Sequence, residues 1–283
     1  MSGTAPVTLR GRRILVTGGS KGIGREIALA AAEAGAEVVV AARGEEAVQA
    51  TVADLPGEGH RGVVLDVAIE ASWDAAINDI GRPLHGVVAA AGVLSPVGRL
   101  DHYAPEEFLD TVKVNLYGTW LAMAECLPAL RAAGDGAIVT FSGGGATVPL
   151  PRVHAYAASK AAVVRLTENL AHELAEDGIT INAIGPGFVA TSIHDAVLRA
   201  GPERAGPLLP RTERQLAEGG APMHASAELA VFLLSDEARG VSGKLILAAS
   251  DDWRDAEFRA RLVADPDLAT LRRIDERLYR RVR

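Results

Sequence analysis

Seven short apolar runs, at 12–17, 37–42, 62–66, 86–90, 136–142, 180–184 and 244–248, recur along the chain with helix-length segments rich in Ala, Leu and Glu between them. No other feature constrains the fold as much. Runs that are apolar almost throughout, rather than at every second residue, predict strands buried on both faces, and the segments between them supply the crossovers that parallel strands need. With right-handed crossovers the result is an α/β fold, a doubly wound parallel sheet of Rossmann type. No Pro- or Ser-rich linker and no internal repeat divides residues 1–250, so that stretch reads as a single domain.

Two segments leave the alternation. Residues 192–226 carry Pro202, Pro207, Pro210 and Pro222 with Gly201, Gly206, Gly219 and Gly220, too many breakers for a long helix and too long for an ordinary connection. A functional segment is expected there. The stretch 251–283 mixes eight acidic with nine basic residues. Within it Asp265, Pro266 and Asp267 read as a helix start ahead of Leu268, Leu271, Ile274 and Leu278, which predicts a C-terminal helical extension.

Composition removes several function classes. With 36 acidic against 29 basic side chains and a formal net charge of -7, the basic patch that a nucleic-acid partner needs is not expected. One cysteine, Cys126, cannot make an internal disulfide or a cysteine-based metal site, so no metal is expected and a reducing compartment is. No stretch approaches the roughly 18 uninterrupted apolar residues of a membrane span, and a cytoplasmic location follows as the expectation.

After the first run comes Thr17-Gly18-Gly19-Ser20-Lys21-Gly22-Ile23-Gly24, then the helical Arg25-Glu26-Ile27. A strand, a glycine-rich turn and a helix start together present backbone N–H groups and a positive dipole end to a pyrophosphate. Gly18 permits the turn, Gly22 the approach of phosphates and Gly24 the packing of helix on strand. Dinucleotide binding is the reading.

The GxxxGxG spacing resembles that of the short-chain dehydrogenase/reductase family. Further matches are Asp66-Val67 after the third run, Ala89-Ala90-Ala91-Gly92 where the family has Asn-Asn-Ala-Gly, Asn115, Tyr156-Ala157-Ala158-Ser159-Lys160, and Pro186-Gly187 followed by Val189 and Thr191. The resemblance covers residues 10 to 250 and implies an NAD(P)-dependent oxidoreductase that works as a homodimer or homotetramer. Leu166, Leu170 and Leu174, repeating at i+4, are the row on which such assembly is expected here.

In this family NAD-selective members carry Asp at the end of the second strand, at the position of Ala42 here; the chain instead continues with Arg43. A guanidinium fork suits a 2′-phosphate, and Lys21 adds a second charge. The expected cofactor is NADP(H) rather than NAD(H). Only four residues are lysine against 25 arginines, so Lys21 and Lys160 stand out within their motifs.

Tyr156 and Lys160 lie four apart, on one face of a helix, so phenol and ammonium can share a cleft. The lysine is expected to lower the tyrosine pKa, making Tyr156 the proton donor and acceptor, and the resemblance gives Asn115 a water linking Lys160 to solvent. The family also places a serine thirteen residues before the tyrosine. Here that position is Gly143, and the neighbouring hydroxyl is Ser142, within Phe141-Ser142-Gly143-Gly144-Gly145. A one-residue shift turns a strand side chain to the other face, unless the glycines form a bulge that re-aims it. Three readings stay open: Ser142 substitutes, Tyr156 works alone, or the site does something other than ordinary carbonyl reduction.

The resemblance makes 192–226 the lid over the substrate. His154, His194, Arg204, Arg211, Arg214, Gln215 and His224 suit a carboxylated, phosphorylated or hydroxylated small molecule, or are solvated charges on short helices. The function expected is interconversion of a secondary alcohol and a ketone on a small polar or sugar-like metabolite. Two alternatives keep the same fold: an isomerase or dehydratase that retains its cofactor, and a catalytically weak dinucleotide-binding regulatory protein, suggested by Gly143.

Overall fold

The computed structural model describes residues 7–274. Seven strands, β1 (Arg13–Thr17), β2 (Glu37–Ala42), β3 (Arg61–Val64), β4 (Gly86–Ala89), β5 (Ala137–Phe141), β6 (Thr180–Gly185) and β7 (Leu245–Leu247), form one parallel sheet in the order β3-β2-β1-β4-β5-β6-β7. All seven apolar runs became strands, within two residues at each end. The order reverses between β1 and β4, which opens a crevice at the carboxyl ends of those strands.

Why the runs are continuous is visible in the two cores. Ile14, Val16, Val38, Val40, Val139 and Phe141 pack on one face against α1 (Gly22–Glu33) and the helix Met223–Leu233. Their neighbours Leu15, Val39, Ala41, Val87 and Ile138 pack on the other, against α3 (Glu70–Ile80) and α5 (Gly118–Ala133). Between them in sequence lie α2 (Glu45–Ala53) and α4 (Pro105–Val112). The next helix, α6 (His154–Glu173), follows β5 and covers β5 and β6.

The breaker-rich segment is shorter than expected. It forms a turn at Ser192–His194, then α7 (Asp195–Ala205), kinked at Gly201, and α8 (Leu208–Ala217). From Met223 onward it belongs to the core, because α9 (Met223–Leu233) is a buried helix packed on α1. Pro222 stands just ahead of the first turn, where its missing N–H breaks no helical bond.

The extension also differs. Its helix is α10 (Ala256–Ala264), N-capped by the Asp255 carboxylate, which accepts from Phe258 N–H. Asp265, expected to start a helix, instead ends this one; Leu268 and Leu271 follow it in turns and irregular chain, and Leu278 lies outside the described residues. Asp255 and Asp265 are both plausible caps by type, and the one followed by buried Leu262 prevailed. Trp253 and Leu262 join the same core as α1 and α9.

Candidate active site

The crevice is floored by the glycine turn between β1 and α1. A Cβ on Gly18 would lie 2.7 Å from the Ala91 Cα, and one on Gly24 would lie 2.9 Å from the Gly18 carbonyl carbon. Bare backbone is therefore required for the turn to sit beside the loop after β4 and for α1 to pack back on β1. Thr17, buried, joins the two strands by donating to the Val88 carbonyl. The neighbourhood of Gly22 holds only the Thr191 side chain, its methyl 3.5 Å from where a Cβ would stand, which sets Thr191 across the crevice; Pro186, Gly187 and Val189 lead to it from the end of β6. Ser20, Lys21 and Ile23 complete the turn, with Lys21 exposed.

Around the crevice stand the other residues named from the sequence. Arg43 is exposed at the end of β2 and forms no ion pair among the described residues; the same holds for Lys21. Ala42 beside it brings no acid. Asp66 turns the chain after β3 by accepting from Ala68 N–H, and Val67 is buried against Gly118. Ala89 ends β4, and Gly92 follows where a Cβ would stand 3.4 Å from the Asn115 Oδ1 and 3.6 Å from the Lys160 Nζ.

Asn115 sits in a π-helical turn, Lys113–Tyr117, between α4 and α5 and is fully buried. Its Oδ1 accepts from Val93 N–H at 2.8 Å, while its amide donates to the Val93 carbonyl at 2.9 Å and to the Ser159 hydroxyl at 3.1 Å. All of its side-chain bonds therefore brace the loop after β4 against α6. π turns of this kind recur at functional sites. Sequence reading missed Ser159 as a partner, although it lies inside the Tyr156–Lys160 motif.

On α6, Tyr156 and Lys160 come to the same buried cleft, the lysine Nζ 6.0 Å from the phenol ring centre. Lys160 donates to the Phe141 carbonyl at 3.0 Å, and burial pulls its pKa down to about 8. Burial likewise pushes the Tyr156 phenol up to about 12. The expected lowering of the tyrosine pKa is thus reversed: desolvation of the phenolate outweighs a lysine that is itself desolvated. A phenol so held keeps its proton at neutral pH and is prepared as a donor.

Gly143 faces that phenol directly. A Cβ there would overlap the Tyr156 hydroxyl and stand 2.8 Å from its ring carbon Cζ. A bulge that would re-aim Ser142 does not form. The β5–β6 register runs unbroken from Ala137↔Thr180 to Phe141↔Ile184, and Ser142 N–H still donates to the Ile184 carbonyl at 2.9 Å. The glycines come after the last paired residue and make a turn instead, Ala146 N–H donating to the Gly143 carbonyl. Ser142 itself is buried.

The tyrosine lies in an apolar cluster built from the loop after β4, the residue ahead of α6, and α7. Leu94, Val97, Val153, Val197 and Ala205 bury against Tyr156, with Leu150, Ile193 and Leu209 at the margin. The polar residues of 192–226 are spread over several settings. Arg211, Arg214 and His224 are exposed; His194 bonds the Val189 carbonyl and stacks on Phe188; Arg204 donates to the His102 carbonyl. Gln215 is partly buried on α8. His154 meets the Tyr103 hydroxyl at 2.7 Å, a pair at the start of α6 that the sequence did not reveal because its members lie 51 residues apart.

The sequence model of the short chain dehydrogenase family matches residues 12–200. A short-chain type dehydrogenase/reductase of Picea abies is 36% identical over 252 residues, covering 84% of this chain and 91% of that protein. A 3-alpha-(or 20-beta)-hydroxysteroid dehydrogenase of Mycobacterium bovis is 33% identical over 238 residues, 83% of this chain and 86% of that one. Among solved structures, a gluconate 5-dehydrogenase from Burkholderia cenocepacia in complex with NADP and tartrate superimposes with a TM-score of 0.75 at 27% identity, covering 85% of this chain and 94% of that one.

Proposed function

The chain belongs to the short-chain dehydrogenase/reductase family, and from that premise we propose that it is an NADP(H)-dependent enzyme interconverting a secondary alcohol and a ketone. The observation that carries this reading is the buried pair on α6, a protonated phenol backed by a lysine, set beside the glycine-lined crevice. Gly18, Ser20, Gly22, Ile23, Gly24 and Thr191 would hold the pyrophosphate, Asp66 and Val67 the adenine side, and Ala89, Gly92, Pro186, Gly187 and Val189 the nicotinamide side. Arg43 at the end of β2, where an NAD enzyme needs a carboxylate, and Lys21 in the glycine turn are exposed cations with no ion pair among the described residues, and they fit a 2′-phosphate. When bound, the nicotinamide supplies or accepts a hydride. Tyr156 holds the proton that a nascent alkoxide takes, Lys160 bears positive charge behind it, and Asn115 fixes the wall between Gly92 and α6.

The names of the relatives range from gluconate to hydroxysteroid, and the lining of the cleft narrows the choice. Apolar contacts around Tyr156 support a substrate whose reacting end is apolar, and the Tyr103–His154 pair supports a polar group at the other end of a small molecule. Exposed Leu109 and Trp120 on α4 and α5 support a homodimer or homotetramer. The leucine row supports it less, because Leu174 is buried in the core and Leu166 and Leu170, partly buried, pack against it. No helix among the described residues is long and apolar enough to cross a membrane.

The test is loss of 340 nm absorbance when the protein is mixed with NADPH and a panel of small ketones. Turnover is expected, and Tyr156→Phe should lower it by about 10³-fold or more while NADPH fluorescence titrations stay unchanged, since general acid catalysis alone is worth 10² to 10⁴. Tight NADPH binding without turnover on any ketone would favour the regulatory reading instead.

A further inference from the structure

The sheet ends at β7, and an edge strand presents unpaired N–H and C=O groups on which another chain can build. In a parallel pair, alternate residues point toward and away from the neighbour. Ile246 bonds toward β6, so the outward groups of β7 belong to Leu245 and Leu247. They are occupied. Leu247 N–H donates to the Asp251 carboxylate at 2.8 Å, and its carbonyl accepts from Asp251 N–H at 3.0 Å. Leu245 N–H donates to the carbonyl of Ala269, 24 residues further along, at 2.7 Å.

That last bond is held by a set of contacts with no other evident purpose. Ala269 adopts φ +56°, a left-handed conformation that L side chains disfavour. Lys244, buried, donates through Nζ to the carbonyls of Asp265 at 2.7 Å and Leu268 at 3.1 Å. Leu271 packs beside Ala146, Val164, Ala183 and Leu245. Arg165 of α6 donates to the Leu271 carbonyl at 2.7 Å, and Arg272 pairs with Glu168 of α6 and with Asp267. One lysine, one leucine and two arginines thus pin a short irregular segment along the outer side of a three-residue strand.

We propose that residues 265–272 are an intramolecular closure of the β7 edge that keeps a second copy of this chain from extending the sheet there. The occupant excluded is another β7, because a two-fold axis would set two identical edges antiparallel and let each satisfy the other. Removing the segment frees the outward Leu245 donor and uncovers the Leu245 side chain, which gives the copy both a hydrogen-bond template and an apolar contact.

The experiment compares the full chain with one ending at Ala264, which keeps α10, by sedimentation velocity at micromolar concentration. The shortened chain should double in mass relative to whatever assembly the full chain forms. A shortened chain that is folded by circular dichroism and keeps the full chain's mass would overturn the proposal. Should the shortened chain fail to fold, the double variant Arg165→Ala/Arg272→Ala decides by hydrogen exchange. Loosening the strap should speed exchange of the Leu245 amide at least about tenfold, a 1.4 kcal/mol change in protection, while the Leu247 amide, held by Asp251, stays unchanged as an internal control. Equal rates at Leu245 in variant and parent would refute the closure.

Discussion

Two glycine turns lie at the carboxyl edge of the sheet, and they differ in what forbids a side chain. After β1 backbone meets backbone: a Cβ on Gly18 would stand 2.7 Å from the Ala91 Cα, and neither partner has a rotamer to change. Any chain that makes this turn against this neighbour needs glycine there. After β5 the obstacle to a Cβ on Gly143 is the tip of the Tyr156 side chain. Glycine at 143 is therefore demanded by where a phenol stands, not by the path of the main chain. The first turn is a condition of the fold; the second is a property of this particular site.

Gly143→Ser strikes at that distinction most strongly. The added Cβ must displace the phenol, and a shift of about 1 Å in a reacting group can cost 10²-fold in rate. Turnover should fall by roughly that factor, with NADPH affinity unchanged, as measured by steady-state kinetics beside a fluorescence titration. Ser142→Ala should leave turnover nearly intact, because Ser142 continues the β5 ladder without a bulge. A faster Gly143→Ser enzyme would mean that the phenol yields as easily as the serine wants, and a 10²-fold loss in Ser142→Ala, typical of a missing oxyanion donor, would return that hydroxyl to the site.

The same contrast explains what could be read from the sequence. Strands buried on both faces leave a continuous apolar signature, and a turn forced by backbone contact leaves a fixed glycine spacing, so the sheet, the dinucleotide crevice and the Tyr156–Lys160 face were all legible. The glycine run at 143–145 was visible but not its geometry, since a bulge and a turn use the same residues and only the point where β5 stops pairing separates them. The breaker-rich segment ends sooner than its composition suggests because α9 begins immediately after Pro222, and prolines mark helix starts as readily as loops. The strap at 265–272 carries almost no local signal. Its partners Lys244, Arg165 and Glu168 are remote in sequence, and two acids around a proline look like a cap wherever they fall.

On the side of the first turn, Arg43→Ala offers a smaller and more selective effect. A hydrogen bond to a charged group is worth about 1.5–3 kcal/mol, so NADPH should bind about 10- to 100-fold more weakly. NADH, lacking the 2′-phosphate, should bind as before. Isothermal titration with both cofactors separates the outcomes, and an equal loss for the two would remove Arg43 from the cofactor site and leave Lys21 as the discriminating cation.

Lys160 joins the two turns, its Nζ bonded to the Phe141 carbonyl just before Gly143 and lying against Gly92 on the crevice side. Burial lowers its pKa from 10.5 to about 8, so in the folded protein it gives up its proton sooner than in the unfolded chain. Between those values the unfolded state binds more protons, and linkage then makes stability rise with pH. Tyr156 acts in the opposite sense, its phenol raised by burial from 10.0 to about 12, but its loss of stability begins only above pH 10. The window from pH 8 to 10 therefore isolates the lysine. Relative to Lys160→Met, the parent should gain a few degrees in Tm across that window, at roughly 2–4 °C per kcal/mol for a chain of this size. Parallel Tm curves for the two proteins would show that the ammonium is hydrated in the folded state, and that the wall between the two turns is open to water rather than sealed.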